Sequence, residues 1–253
     1  MKLTSLAVIT VLMAAPAAFA DCDQTAPHRL TANLDGASRI TIIGRAGSLR
    51  VEGANQGVAT ARGTACASDR DFLDRMRIEA RRDGSDVVIE AIIPERMVFG
   101  FHSARLDFEV VVPENMPVRV KDGSGSVEIR NIASLDITDG SGDMEIRGVR
   151  GDVTIRDGSG AIKVRDVGGD VEVHDGSGSI TIVEVRGGVR IVSDGSGGID
   201  IRDVQRDVIV ENDGSGGIDV RDVRGNFIVE RKGSGRIDYD NIGGTVRIPA
   251  HKR

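Results

Sequence analysis

The sequence has no Trp, one Tyr and six Phe among 253 residues, and aromatics make up 3%. That scarcity excludes aromatic platforms for stacking sugars or single-stranded nucleic acid. Six Pro argue against collagen and Pro-rich disorder. No broad excess of basic charge is present: the net charge is -6, which argues against a nucleic-acid binder working through a positive surface. Only two Cys and four His occur, with no CxxC and no Cys/His spacing of a metal centre. After the first twenty residues no apolar run is long enough to span a bilayer. Gly is abundant at 33 residues, and the apolar 40% is mostly Val and Ile, which favours strands.

The N-terminus reads as an export signal. Lys2 supplies a basic start, Leu6 to Ala14 an apolar stretch, and Ala18-Phe19-Ala20 a small-x-small cleavage site. Cleavage after Ala20 is expected. The exported protein then holds Cys22 and Cys66, and an oxidising compartment favours their pairing as a disulfide. Asp21 precedes Cys22, which argues against lipidation there. The periplasm is the expected location, with secretion or the cell surface as alternatives.

The C-terminal half is a repeat. Asp-Gly-Ser-Gly begins at Asp122, Asp139, Asp157, Asp175, Asp194 and Asp213, and Lys-Gly-Ser-Gly at Lys232. The spacings are 17, 18, 18, 19, 19 and 19. Five apolar columns recur in the seven units, starting in the first at Val127, Ile129, Ile132, Leu135 and Ile137, and all 35 positions are apolar. Alternation with period 2 inside a fixed repeat predicts stacked strands. Length differences fall at corners: the 19-residue units add Ser193, Asn212 and Arg231 just before the corner. A slip inside a strand would turn its apolar face to water. One unit cannot bury its own apolar face, so the units must stack.

The expected fold is all-β: a β-helix or β-roll solenoid with about seven coils of 17–19 residues. Residues 1–20 form the signal, 21–120 an irregular β-rich cap and 121–249 the continuous solenoid. In the cap, strands are expected around Ile40/Ile42, Leu49/Val51, Met76/Ile78, Val87/Ile89 and Leu106/Phe108/Val110. Asp83-Gly84-Ser85-Asp86 reads as a tight turn, and Ser68 to Leu73 as one helical turn. Pro249 discourages pairing at the far end.

The repeated turn invites three chemistries. As an Asx-turn, each Asp accepts backbone N–H bonds while the glycines take positive φ. As a calcium β-roll, the Asp ladder would hold cations, although Gly195-Ser196-Gly197-Gly198-Ile199-Asp200 fits the nine-residue pattern only in part. As a polysaccharide-active β-helix it would need a groove of unequal loops, and these loops are uniformly short. The turn reading is preferred. The seven Ser read as turn hydroxyls, because a catalytic Ser is singular. No catalytic, cofactor or metal-ligating residue is assigned, and the four His have no spaced partner. Arg130, Arg147, Arg165, Arg202 and Arg221 share an outward position beside Glu128, Glu145, Asp200 and Asp219, a salt-bridged face or a docking stripe.

Residues 28 to 248 resemble the bacterial putative-adhesin family, a group of exported β-strand-repeat proteins. The matching features are the signal, the irregular β-rich start, Leu106-Asp107-Phe108-Glu109-Val110-Val111-Val112-Pro113, and then Val118 to Ile129 with its Ser-Gly turn. The resemblance implies a right-handed parallel coil and no enzymatic activity. It brings no catalytic residues and no cofactor. The expected function is a non-enzymatic envelope rod that binds a protein or glycan, with no nucleic-acid partner and no transmembrane segment after cleavage.

Overall fold

The computed structural model describes residues 23–94 and 104–249. Their cap region contains β1 (Gln24–Asn33), β2 (Arg39–Ile43), β3 (Leu49–Ala54), β4 (Val58–Ala67), a helical turn α1 (Arg70–Leu73), β5 (Arg77–Asp83), β6 (Asp86–Ile92) and β7 (Ala104–Pro113). The repeats supply strand pairs, one pair per coil. They are β8 (Pro117–Lys121) with β9 (Val127–Arg130), β10 (Ser134–Asp139) with β11 (Met144–Val149), and β12 (Val153–Asp157) with β13 (Ile162–Val167). Next come β14 (Val171–Asp175) with β15 (Ile180–Val185) and β16 (Val189–Asp194) with β17 (Ile199–Val204). The last are β18 (Val208–Ser215) with β19 (Ile218–Val223), β20 (Phe227–Ser234) with β21 (Ile237–Ile242), and the stub β22 (Val246–Arg247).

The result is a parallel β-solenoid of about seven repeat coils. Even-numbered strands from β8 to β22 line one eleven-stranded sheet and odd-numbered strands from β9 to β21 line the other, all parallel within each sheet. The apolar columns meet between the sheets. Thirty of the 35 column positions are buried, and the five that are not, Ile237, Tyr239, Ile242, Val246 and Ile248, all belong to the last coil. Each buried aliphatic side chain contributes roughly 1.5–3 kcal/mol before chain ordering is counted. The slab between the sheets is filled by Val and Ile.

The cap is coil-like but out of sequential order. β2 and β3 form a coil that lies between the β6/β7 coil and the β8/β9 coil, pairing in parallel with both. The chain therefore lays down an inner coil first, runs outward, and returns past it. Beyond β6 and β7 the pairing becomes antiparallel, with β5 on one sheet and β4 then β1 on the other. Antiparallel edges end the parallel stack. The helical turn is capped by the Asp69 carboxylate, which accepts from the Phe72 N–H. The turn at Gly84 joins β5 to β6.

The two corners differ chemically, and here the structure corrects the sequence reading. At the first corner the second Gly of each Gly-Ser-Gly has positive φ, as at Gly197 (φ +145). At the second corner the left-handed residue is Asn131, Asp166, Glu184, Asp203, Asp222 or Asn241, and only Gly148 is a glycine. The second-corner glycines serve close approach instead. A Cβ on Gly168 would sit 2.1 Å from the Arg150 carbonyl oxygen of the adjacent coil. The added residue of the 19-residue coils is also absorbed differently. Register between β14 and β16 shifts after Val173, so that His174 faces Ser193 and Val192 is left as a bulge.

Candidate functional site

The six repeated aspartates do not line the surface. Leu135, Ile137 and Asp139 are spaced by two, so the Asp is the third inward position of its strand. Val118, Val120 and Asp122 repeat the pattern at the first repeat corner. In the first of the longer coils the Val192 bulge restores the parity and keeps Asp194 inward, and Asp213 stays in register with it. Register pairs Asp139 with Asp157, Asp157 with Asp175, Asp175 with Asp194, and Asp194 with Asp213. The five carboxylates from Asp139 to Asp213 are buried, with Asp194 and Asp213 each 1% exposed, and Asp122 is half-buried. The column ends at Lys232, which replaces Asp in the last corner. Its ammonium donates to Asp213 Oδ2 at 2.5 Å and to the carbonyls of Gly216 and Ser234.

At the opposite end the column begins beside an eighth corner that sequence reading missed. Gly44-Arg45-Ala46-Gly47 stacks on Asp122-Gly123-Ser124-Gly125. Ile40, Ile42, Leu49 and Val51 occupy the same register as Val118, Val120, Val127 and Ile129, and this was the legible signal. Gly44 stands where the repeats have Asp. A Cβ there would lie 1.9 Å from Asp122 Oδ1.

Asx-turn bonding accounts for part of the column. The Gly140 N–H donates to Asp139 Oδ1 at 2.8 Å and the Ser177 N–H to Asp175 Oδ1 at 3.2 Å. Burial is the main force on these acids. It raises Asp122 to about 7, with the neighbouring Asp139 charge second. It raises Asp194 to about 7 and Asp157 to about 6, each helped by charged aspartates above and below. Asp139 and Asp175 are also raised by burial, against backbone donors that favour their ionised form. Among the described residues no group of three or more Asp, Glu, His or Cys is arranged to hold a metal ion.

A second ladder lines the other corner. Asp152 accepts from the Asp170 N–H, Asp170 from the Gly188 N–H, Asp207 from the Asn226 N–H, and Asn226 from the Thr245 N–H. Gly188 has no side chain to continue this series, and the Arg206 guanidinium reaches across it to Asp170 at 3.1 Å. These side chains staple one coil to the next.

The outer face of the odd-strand sheet carries rows of charge at the strand spacing of about 4.8 Å. One row runs Arg62, Glu109, Arg50, Glu128, Glu145, Lys163, Thr181, Asp200, Asp219 and Asp238. The adjacent row contains Glu52, Arg130, Arg147, Arg165, Val183, Arg202, Arg221 and Asp240. Ion pairs tie Arg130 to Glu128, Arg202 to Asp200 and Arg221 to Asp219. Such exposed pairs contribute about 0–1 kcal/mol each. In the middle the acidic row is broken by Lys163 and Thr181. Glu145, Arg147, Lys163 and Arg165 line a depression there, and no ion pair ties them to one another or to another carboxylate among the described residues.

The other singled-out residues are dispersed. His28 is half-buried on β1, and burial lowers its pKa. His174 lies on β14 beside Glu172 at 3.5 Å. His102 and His251 lie outside the described residues, as do Cys22 and the signal with its cleavage site after Ala20. Cys66 is 5% exposed on β4, opposite Thr25. No helix among the described residues is long and apolar enough to cross a membrane.

No family model matches the chain, and no curated protein matches it. Solved structures do. A putative adhesin from Bacteroides fragilis superposes with a TM-score of 0.51 at 11% identity, covering 90% of this chain and 98% of that one. A putative cell adhesion protein from Clostridium sporogenes gives 0.44 at 13% identity, over 89% and 100%. A putative adhesin from Parabacteroides merdae gives 0.40 at 11%, over 90% and 97%. At such identities a likeness speaks to fold alone. The chain shares the fold of the Bacteroides fragilis putative adhesin, as the Ser-Gly turns and the Val-Pro strand led one to expect.

Proposed function

We propose that this protein is a non-enzymatic, exported rod of the cell envelope that docks a protein or glycan through the flat outer face of its odd-strand sheet. The observation that carries the reading is that face itself: charges stand in straight rows, and at a mid-rod depression three cations, Arg147, Lys163 and Arg165, stand against one carboxylate, Glu145, between stretches that carry ion pairs. A flat face with shallow depressions suits a broad partner better than a small substrate. Export through residues 1–20, a boundary near residue 120 between cap and repeats, and a Cys22–Cys66 disulfide belong to the same proposal. Thr25, opposite Cys66 on β4, is three residues from Cys22 and supports the pairing.

The test is in-cell photocrosslinking of the exported chain, with the reactive group at Lys163 or, as control, at Thr154 on the opposite sheet. One defined partner captured from Lys163 and not from Thr154 supports the reading. Equal capture from both, or none, refutes docking by this face, and cleavage of an acidic glycan panel refutes the non-enzymatic part.

A further inference from the structure

The buried aspartate column poses a problem of charge. Six carboxylates stand in one file, and one ammonium, Lys232, meets the last of them. Nine of their twelve oxygens have no hydrogen-bond partner with full geometry among the described residues, including both oxygens of Asp122, Asp157 and Asp194. Backbone N–H groups of the corner lie close by, but only those of Gly140 and Ser177 reach full geometry. A buried carboxylate without donors is costly enough that the group neutralises instead. Neighbours about 4.8 Å apart in a dry corner cannot all ionise.

We propose that the column is a proton-binding ladder in which Asp122, Asp157 and Asp194 are protonated and alternate with the ionised rungs Asp139, Asp175 and Asp213, each proton shared with a neighbouring rung, so that folding of the rod takes up protons. Each proton comes from solvent and converts one carboxylate into an O–H donor aimed at the next rung. The donor shortage disappears without a metal, and Lys232 meets an ionised rung at the end. The choice of rungs follows from their surroundings. Asp139 and Asp175 hold the backbone N–H bonds, which favour charge, and Asp213 holds the ammonium. Asp122, Asp157 and Asp194 also have corner N–H groups near them, but none at full hydrogen-bond geometry, and they have no ammonium. The electrostatics agree: Asp122, Asp157 and Asp194 are pushed to about 7, about 6 and about 7. Bonding between side chains raises Asp122 against Asp139 and Asp194 against Asp213, as donors, and lowers Asp139 against Asp122 and Asp175 against Asp194, as acceptors; Asp157 is raised by burial and by the charges of Asp139 and Asp175.

Among the described residues, the charged groups that face the column are its own members and Lys232, while Gly44 at the other end is neutral. The sign follows from linkage. A carboxyl whose folded pKa is raised contributes stability that is full below its unfolded value of about 4 and is lost as pH rises through the folded value. The loss therefore spans about pH 4 to 7. His28, lowered by burial, acts in the opposite direction, by one proton at most.

The experiment measures urea unfolding of the full exported chain and of the triple variant Asp122→Asn, Asp157→Asn, Asp194→Asn at steps from about pH 5 to 8. The wild-type unfolding constant should rise tenfold or more per unit between about pH 5 and 6, and the variant's should stay level or fall. Infrared spectra of the folded wild type should show a carboxylic-acid carbonyl band at about pH 5.5 that fades by about pH 8.5. This band decides the matter even if the variant does not fold. Its absence at about pH 5.5, or a wild-type slope that the variant retains, overturns the proposal.

Discussion

Two adjacent glycines should respond in opposite ways to the same substitution. Gly197 has φ +145, and a Cβ built on it lies 1.6 Å from the Gly178 carbonyl oxygen of the preceding coil. Gly198 has nothing within 4 Å of its Cβ position and no left-handed φ. Gly197→Ala combines a backbone conformation reserved for glycine, costing about 1–3 kcal/mol, with an overlap that no side-chain rotation can relieve. The coils must part locally. The bonds at risk are those from the Gly178 N–H to the Ser196 carbonyl, 2.8 Å, and from the Gly197 N–H to the Ser215 carbonyl, 2.9 Å. Each contributes about 1 kcal/mol net. The expected loss is about 3–5 kcal/mol in all. For a chain of this size that lowers Tm by roughly 6–20 °C. Gly198→Ala should be neutral or stabilise by up to about 1 kcal/mol, through a less flexible unfolded chain. Urea unfolding of the two variants beside wild type is the assay, with amide exchange to show whether the damage stays in the coils around β16 to β19, since stacked repeats can open locally. Equal stability of the two variants, or a Gly197→Ala protein within about 1 kcal/mol of wild type, would refute the close-approach argument.

Lys232→Met leaves Asp213 buried without its ammonium, and urea unfolding at neutral pH should show a loss of about 3–5 kcal/mol. Ile182→Ala, at a fully buried mid-rod position, should cost about 2–5 kcal/mol by the same assay, and Ile237→Ala in the open last coil about half of that or less. Non-reduced exported protein should not take up alkylating reagent at Cys22 or Cys66, and a mass increase for two modified thiols would exclude the disulfide. Calcium against chelator should move Tm by less than about 2 °C, whereas a large rise with calcium would restore the β-roll reading.

Much of the solenoid was legible because its physics is local. A Val/Ile pair spaced by two, a Gly-Ser-Gly corner and a second pair repeat often enough to make stacking the only way to bury them. The inward turn of the aspartates was legible too, since Leu135, Ile137 and Asp139 share one parity. The Val192 bulge was hidden because an inserted residue looks the same in sequence whether a corner or a strand absorbs it. β1 and β4 escaped notice because their alternation is carried by Ala and Thr, which present weak apolar contrast. The mid-rod excess of cations was visible in the series Glu128, Glu145, Lys163, Thr181. That it lies on a flat shared face required the register.

The sequence by itself determined the coil: its length, its apolar columns, its glycine corners, and the lysine that closes the aspartate series. These are set by interactions between positions fewer than twenty residues apart, and periodicity records them. Tertiary structure alone decided the order of coils in the cap, where β2 and β3 are enclosed by strands that come later in the chain. It also decided the chemical state of the aspartates. Each one is an ordinary turn residue in its own coil, and becomes a buried rung only when the coils above and below remove its water and supply another carboxylate in its place.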